Sequence, residues 1–386
     1  MNIKSDPQLE KLINLEEKRQ SETWSLIASE NEMFDEVREI LGSKLNNKYS
    51  EGYAGKRYYN GNQFIDEIEN LAISRTCEGF GANFANVQSY SGSPANQAIY
   101  KALLNPGDTV LGFDLNCGGH LTHGASVNFS GSYYNSITYK VDPQTELIDF
   151  EEVRKLAYEY KPKLIICGTT AYSREIDFQK FKEIATEVGA FLLADISHIS
   201  GLIISNLHPS PVGIADVMMS TTHKQLRGPR GAVILSNSEE IMTKINKAVF
   251  PGLQGGPHNS TTAAIALCMK KVNSREYKDY CKRIVENRKV MQDVFVDNEI
   301  QVVSGGSDNH LLVLKVGTGR GRQVADELEK LGIIINANTI PFDPSSPFKP
   351  SGIRIGTPWI TSRNIDSEKL TELTTKIVEI VKSTNI

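Results

Sequence analysis

Short apolar runs separated by amphipathic stretches of ten or more residues constrain this chain more than any other feature. From about residue 85 the order is ANVQSYSG as strand and turn, PANQAIYKALL as helix, TVLGF as strand, IDFEEVRKLAYEY as helix, KLIICG as strand, DFQKFKEIATEVG as helix, then FLLAD, DVMMSTTHK and GAVILS as strands. Strands apolar along their whole length are buried on both faces, and strands joined through helices need crossovers, so the pattern predicts a mostly parallel sheet covered by helices. Ligands of such sheets gather just beyond the carboxyl ends of the strands.

The flanks read differently. Leu9, Leu12, Ile13 and Leu15 recur at near-helical spacing among charges between about residues 7 and 21, which predicts an amphipathic arm that must pack on something. NKYSEGYAGKRYYNGN carries four tyrosines without periodicity and reads as a long ordered loop, a common home for functional groups. After a helical stretch ending near Val296, the segments QVVSG, HLLVLKV, RQVADELEKLG, IIIN and IRIGTPW, followed by a last helix, predict a smaller α+β unit. The expected division is 1–50 as arm, 51–272 as large domain and 273–386 as small domain.

A formal net charge of −4 over 386 residues gives no global attraction to nucleic acid or to an anionic membrane, and neither is expected as a partner. The opening residues lack an apolar signal core, and no run of about 18 apolar residues occurs. Five scattered cysteines without a CxxC pair suggest reduced thiols, a cytoplasmic setting and no metal site.

Three predicted strand ends carry chemistry. SGSPANQA has the grammar of a helix start, with Ser93 able to cap and Pro94 suited to the first helical position, and glycine beside hydroxyls at a helix amino end also suits an anion. Asp195 follows four apolar residues in FLLAD, where a carboxylate needs a cap, hydrogen bonds or a cation; a protonated pyridine nitrogen is one such partner. Lys224 ends the next predicted strand in STTHKQLRGPRG. Phosphate cup, acidic strand end and lysine strand end, in that order, are the parts of a fold that carries pyridoxal 5'-phosphate (PLP) on a lysine as a Schiff base.

The blocks LIASEN, NKYSEGYAGKRYYNG, GGHLTHG with VNFSG, TTHK with LRGPRG, FPGLQGGP, VVSGGSDNHL and SGIRIGTP follow in order through nearly the whole chain. Together they resemble the serine hydroxymethyltransferases, PLP enzymes of fold type I. The resemblance implies that Lys224 carries PLP, that His120 stacks on its ring, that Asp195 pairs with the ring nitrogen, and that His198 and Thr170 lie near the ring hydroxyl. It implies a phosphate site from Gly92 and Ser93, with Tyr49 and Gly255 from a neighbouring subunit, hence a homodimer or a tetramer with shared active sites. Arg354 would bind the amino-acid carboxylate with Ser29 and Tyr59, a bidentate match for a guanidinium. Glu51 would act as acid and base near the substrate hydroxyl beside Tyr58, and His223 and Arg230 would tune the lysine. Leu115, Gly119, Leu121 and Asn338 would contact folate. The implied reaction interconverts serine and glycine, with tetrahydrofolate taking the one-carbon unit.

The sequence departs from that pattern at Gln225, commonly threonine, at Thr170, often serine, at Leu253, commonly glycine, at His258 after the glycine block, and at Phe342, where the family has a small amide. Leu253 and Phe342 bear on the folate side. They define the alternative: a folate-independent aldolase or transaldolase, or an enzyme for α-substituted serine.

Overall fold

The computed structural model describes residues 5–383. Its central sheet has seven strands: β1 (Phe84–Asn86), β2 (Thr109–Phe113), β3 (Asn135–Tyr139), β4 (Leu164–Gly168), β5 (Phe191–Asp195), β6 (Val217–Thr221) and β7 (Ala232–Ser236), in the spatial order β1-β7-β6-β5-β4-β2-β3. The strands from β6 through β3 run parallel, while β7 is antiparallel to both β6 and β1.

Side chains alternate across a strand, and here both faces are buried. In β4, Ile165 and Cys167 join one apolar cluster and Leu164 and Ile166 the other; in β5, Leu192 and Ala194 face the first and Leu193 the second. Helices α2 (Gln63–Phe80), α4 (Phe150–Tyr160), α5 (Phe178–Val188), α6 (Ser200–Ile204) and α8 (Asn259–Val272) cover the first face through Ala72, Val153, Phe181, Ile184, Leu202 and Ile265. Helices α3 (Gly92–Leu103) and α7 (Glu239–Val249) cover the second through Ala98, Ile99 and Ile245. Each such aliphatic side chain taken from water contributes about 1.5–3 kcal/mol, which is why these short strands need no polar face.

Two predicted boundaries are corrected. The strand before the lysine stops at Thr221, so Lys224 lies in the turn beyond it, where Thr222 N donates to Gly231 O and Gly228 N to Thr222 O. The helix after β1 begins at Gly92 with Ser91 as its flanking residue, so Ser93 sits inside the first turn and Pro94 is not its first residue; Ser91 is fully extended and makes no side-chain cap bond.

The carboxyl-terminal part of the chain holds an antiparallel sheet of β8 (Leu311–Lys315), β9 (Asn336–Asn338) and β10 (Gly352–Gly356), with β10 in the middle. Helices α9 (Arg275–Asp297), α10 (Gly321–Lys330) and α11 (Ser367–Ser383) pack on it through Phe295, Leu328 and Ile377. The loop after β4 is its seat: Asn309 Nδ2 donates to Tyr172 O at 3.1 Å, Ser173 Oγ to Gly306 O at 2.8 Å and Asp308 N to Ser173 O at 2.8 Å.

The amino-terminal arm forms α1 (Pro7–Glu22), capped by Asp6, whose side chain accepts from Leu9 N. No residue of α1 is buried, and Leu9, Leu12 and Leu15 are 45%, 57% and 52% exposed. Among the described residues, nothing buries these three leucines, and Ile13 of the same stripe is only half covered.

Candidate active site

The carboxyl ends of β4, β5 and β6 and the amino end of α3 converge on a cavity of about 250 Å³ walled by Gly92, Ser93, His120, Thr170, Asp195, His198, His223 and Lys224. Lys224 is held there by its backbone: Asn31 Nδ2 donates to Lys224 O at 3.1 Å. Burial pulls the ammonium pKa down to about 8, with Asp195 opposing and Arg354 and Arg230 assisting. Such a lysine reaches its nucleophilic, uncharged form close to neutral pH.

Asp195 ends β5 and is 7% exposed. Burial alone would raise its pKa, but the hydrogen bond from His123 holds the carboxylate far below its ordinary range. Its Oδ2 takes Asn96 Nδ2 at 3.0 Å and lies 3.1 Å from His123 Nε2, and its Oδ1 takes Ser197 Oγ at 2.6 Å and Ser197 N at 3.1 Å. His123 Nδ1 accepts from His120 N at 3.3 Å, which leaves Nε2 as the protonated nitrogen facing Asp195. Burial also lowers the His120 pKa to about 4 and those of His223 and His310 to about 3, so these imidazoles stay neutral at neutral pH. His198 follows the same way and stacks on His310 at 5.5 Å.

Arg354 reaches this region from β10. It is 7% exposed, and its Nη1 donates to Thr170 O at 2.9 Å. Ser29 lines a larger adjoining groove of about 850 Å³ whose wall also includes His223 and Arg230.

The remaining sequence candidates assemble elsewhere. Tyr49, Glu51, Tyr58, Tyr59 and Gly255 form a second cluster: the Tyr49 and Tyr59 rings lie 5.0 Å apart, Tyr58 meets Phe250 at 5.7 Å, and a Cβ on Gly255 would stand 3.1 Å from Glu51 Oε1. None of them lines the Lys224 cavity of the same chain, and Tyr49, Tyr58 and Tyr59 are 55%, 73% and 46% exposed. What holds this cluster is Arg57, inside the hairpin Gly52–Tyr53 and Lys56–Arg57. Its Nη1 donates to Ser50 O at 2.9 Å and Gly52 O at 2.7 Å, its Nε to Asp66 Oδ1 and its Nη2 to Glu69 Oε2, both at 2.8 Å.

Residues 3–377 match the family model described as serine hydroxymethyltransferase. The protein of that name from Lactobacillus acidophilus is 52% identical over 378 residues, covering 97% of this chain and 92% of the relative. Those of Metamycoplasma arthritidis and Acidothermus cellulolyticus are each 51% identical, covering 98% and 97% of this chain and 91% and 88% of the relative. The chain belongs to the serine hydroxymethyltransferase family. Its sheet and covering helices are thereby those of fold type I, as the sequence implied.

The family implies PLP, and the cavity beside Lys224 fits it on three counts. Asp195 is a buried anion whose protein partners are all neutral donors, the complement of a protonated ring nitrogen. Among the described residues, the amino end of α3 has no side-chain cap, and Thr221 Oγ1 and His223 Nδ1, both on cavity-lining residues, are buried without a protein partner. A Cβ on Gly92 would come within 2.6 Å of Thr221 Cγ2, so only glycine leaves this cradle its shape.

The folate candidates ring the mouth of β2. Leu115 and Leu121 sit in successive 3₁₀ turns and are 41% and 43% exposed; a Cβ on Gly119 would strike Phe113 O. Asn338 ends β9, with Nδ2 donating to Thr339 O at 2.6 Å. Phe342 is half exposed and lines a neighbouring cavity of about 190 Å³ with Asn116 and Thr339. Sequence reasoning missed His123, Asn96, Arg57, His310 and Asn336. Only Arg57 had a local signal, in acidic residues spaced three apart at Asp66 and Glu69 on the following helix.

Proposed function

We propose that this protein interconverts serine and glycine, with tetrahydrofolate as the one-carbon acceptor and PLP as cofactor. The observation that carries the reading is the half-buried, weakly basic Lys224 in one cavity with the carboxylate Asp195, inside a chain of this family. Lys224 would hold the cofactor aldehyde, Asp195 its ring nitrogen, Gly92 and Ser93 its phosphate, and His120 the ring face; Thr170 and His198 would border the ring hydroxyl. When bound, PLP supplies an electron sink for bonds broken at the amino acid's α-carbon.

The chain's own groups do the rest. Arg354 would receive the substrate carboxylate, flanked by Ser29 and Tyr59. Glu51, beside Tyr58, would take the proton from the serine hydroxyl as the carbon–carbon bond breaks, and would return it in the reverse direction. Leu115, Gly119, Leu121 and Asn338 would seat the folate. Neutral His120, His198 and His223 add no positive charge beside Lys224, which keeps its amine available.

Glu51, Tyr49, Tyr58, Tyr59 and Gly255 stand on a largely exposed surface outside the Lys224 cavity, so we assign them to the cavity of a second copy in a homodimer. The uncovered stripe of α1 suits the same assembly. Five free thiols accord with a cytoplasmic setting. Among the described residues, no helix is long and apolar enough to cross a membrane.

The decisive experiment compares wild type with Lys224→Ala and Glu51→Gln after PLP addition. Lys224→Ala is expected to lack the visible absorbance of lysine-bound PLP. Glu51→Gln is expected to keep it but lose about 10²–10⁴ of folate-dependent serine cleavage, the usual worth of a general acid or base. Serine cleavage by wild type that ignores added tetrahydrofolate would shift the reading to a folate-independent aldolase.

A further inference from the structure

Arg354 is a buried cation in the middle strand of the small sheet, and among the described residues no carboxylate supplies the anion such a group normally requires. Nη1 donates to the Thr170 carbonyl at 2.9 Å and Nε to Asn336 Oδ1 at 3.1 Å, both neutral acceptors. Asn336 is the direct partner of Arg354 across the β9–β10 ladder. Its own Nδ2 donates to Ala337 O at 2.9 Å, which settles which end of the amide faces the guanidinium. An aspartate has the same shape. It would set a permanent negative charge against Nε and satisfy Arg354 before any ligand came.

We propose that Asn336 is a positioning residue that makes the site selective for amino acids with a free carboxylate, by fixing the Arg354 fork through Nε while withholding a counter-charge. The guanidinium edge not engaged by Thr170 and Asn336 then finds its anion only in the ligand. This rests on the assignment of Arg354 as carboxylate receptor.

The test uses the PLP-loaded protein, with serine for kinetics and with glycine and its neutral analogue glycinamide for ligand-induced thermal shifts. Asn336→Asp is expected to raise the serine KM at least about tenfold while kcat changes less than about threefold, the pattern of lost ground-state binding. The preference for glycine over glycinamide should fall by a similar factor, which general loosening would not produce. Asn336→Ala removes the acceptor without adding charge, and is expected to raise KM about three- to fivefold while most of the preference survives. In an Arg354→Gln background, Asn336→Asp should change neither quantity further. The proposal is overturned if Asn336→Asp keeps KM and preference within about twofold of wild type although Arg354→Gln raises KM. Should Asn336→Asp not fold, an unchanged KM in Asn336→Ala overturns it. An unchanged KM in Arg354→Gln instead removes the assignment of Arg354 beneath it.

Discussion

Replacing Arg57 by methionine separates the stability of the hairpin from its catalytic use. Arg57 and Glu69 side chains are each 3% exposed and meet at 2.8 Å. Removing one partner of a buried pair strands the other, at about 3–5 kcal/mol. For a chain of 386 residues each kcal/mol moves Tm by about 1.2 °C, so the fall is roughly 4–6 °C. Adding Glu69→Gln removes the stranded carboxylate, and Gln88 Nε2, now 2.9 Å from Glu69 Oε2, still has an acceptor there. More than half of the lost Tm should return. Activity should not: Arg57 Nη1 also pins Ser50 O and Gly52 O, the carbonyls on either side of Glu51, and the double variant leaves both free. A catalytic group displaced by about 1 Å costs about 10²-fold, so kcat stays low in single and double variants alike. Thermal melts and serine cleavage at saturating serine, run well below either Tm, read both quantities. A double variant no more stable than Arg57→Met, or wild-type kcat in either, would refute the reasoning.

Three further outcomes follow from described contacts. Gly92→Ala puts a methyl 2.6 Å from Thr221 Cγ2 and should weaken PLP affinity about tenfold with little change in the circular dichroism spectrum, an overpacking cost confined to the cradle; unchanged affinity by absorbance titration would count against it. The pKa values of His120, His223 and His310 lie near 4, 3 and 3 in the fold against 6.5 when exposed, so below pH 6.5 the unfolded chain binds more protons. Stability is therefore full above about pH 6.5 and falls toward pH 4 by about 1.4 kcal/mol per pH unit per imidazole; urea midpoints at pH 7 and 5 test this, and His310→Asn should flatten the slope. Finally, Lys224→Ala and Glu51→Gln proteins, each inactive alone, should regain up to about a quarter of wild-type activity after unfolding and refolding together, because half the dimers are mixed and each mixed dimer has one intact site; absence of recovery would place Glu51 in its own chain's site.

Much of the fold was legible because it depends on local periodicity. KLIICG and FLLAD are apolar on both faces and became adjacent parallel strands, and the helix between them formed where its apolar spacing put it. The reading slipped at strand and helix ends, where long-range backbone bonds decide: Thr222 pairs with Gly231 and ends β6 early, and the extended Ser91 starts α3 before Ser93. In the site, Lys224, Asp195 and Arg354 were visible through ordered motifs. His123 and Asn336 were not, because one reaches a carboxylate 72 residues away and the other an arginine 18 residues away in a register that no local pattern encodes. Leu253 and Phe342 pointed toward an activity without folate, yet both are partly exposed, and the relatives at about half identity give that alternative no support.

On the proposed assignment of Glu51 to a second copy's cavity, specific activity depends on how much protein is present. A lone chain would keep Lys224, Asp195 and Arg354 in place yet lack the carboxylate proposed for the hydroxyl proton. Progressive dilution should therefore lower the turnover of each remaining site before any chain unfolds, with the initial rate climbing toward the second power of protein concentration at the dilute end and becoming linear once pairing is complete.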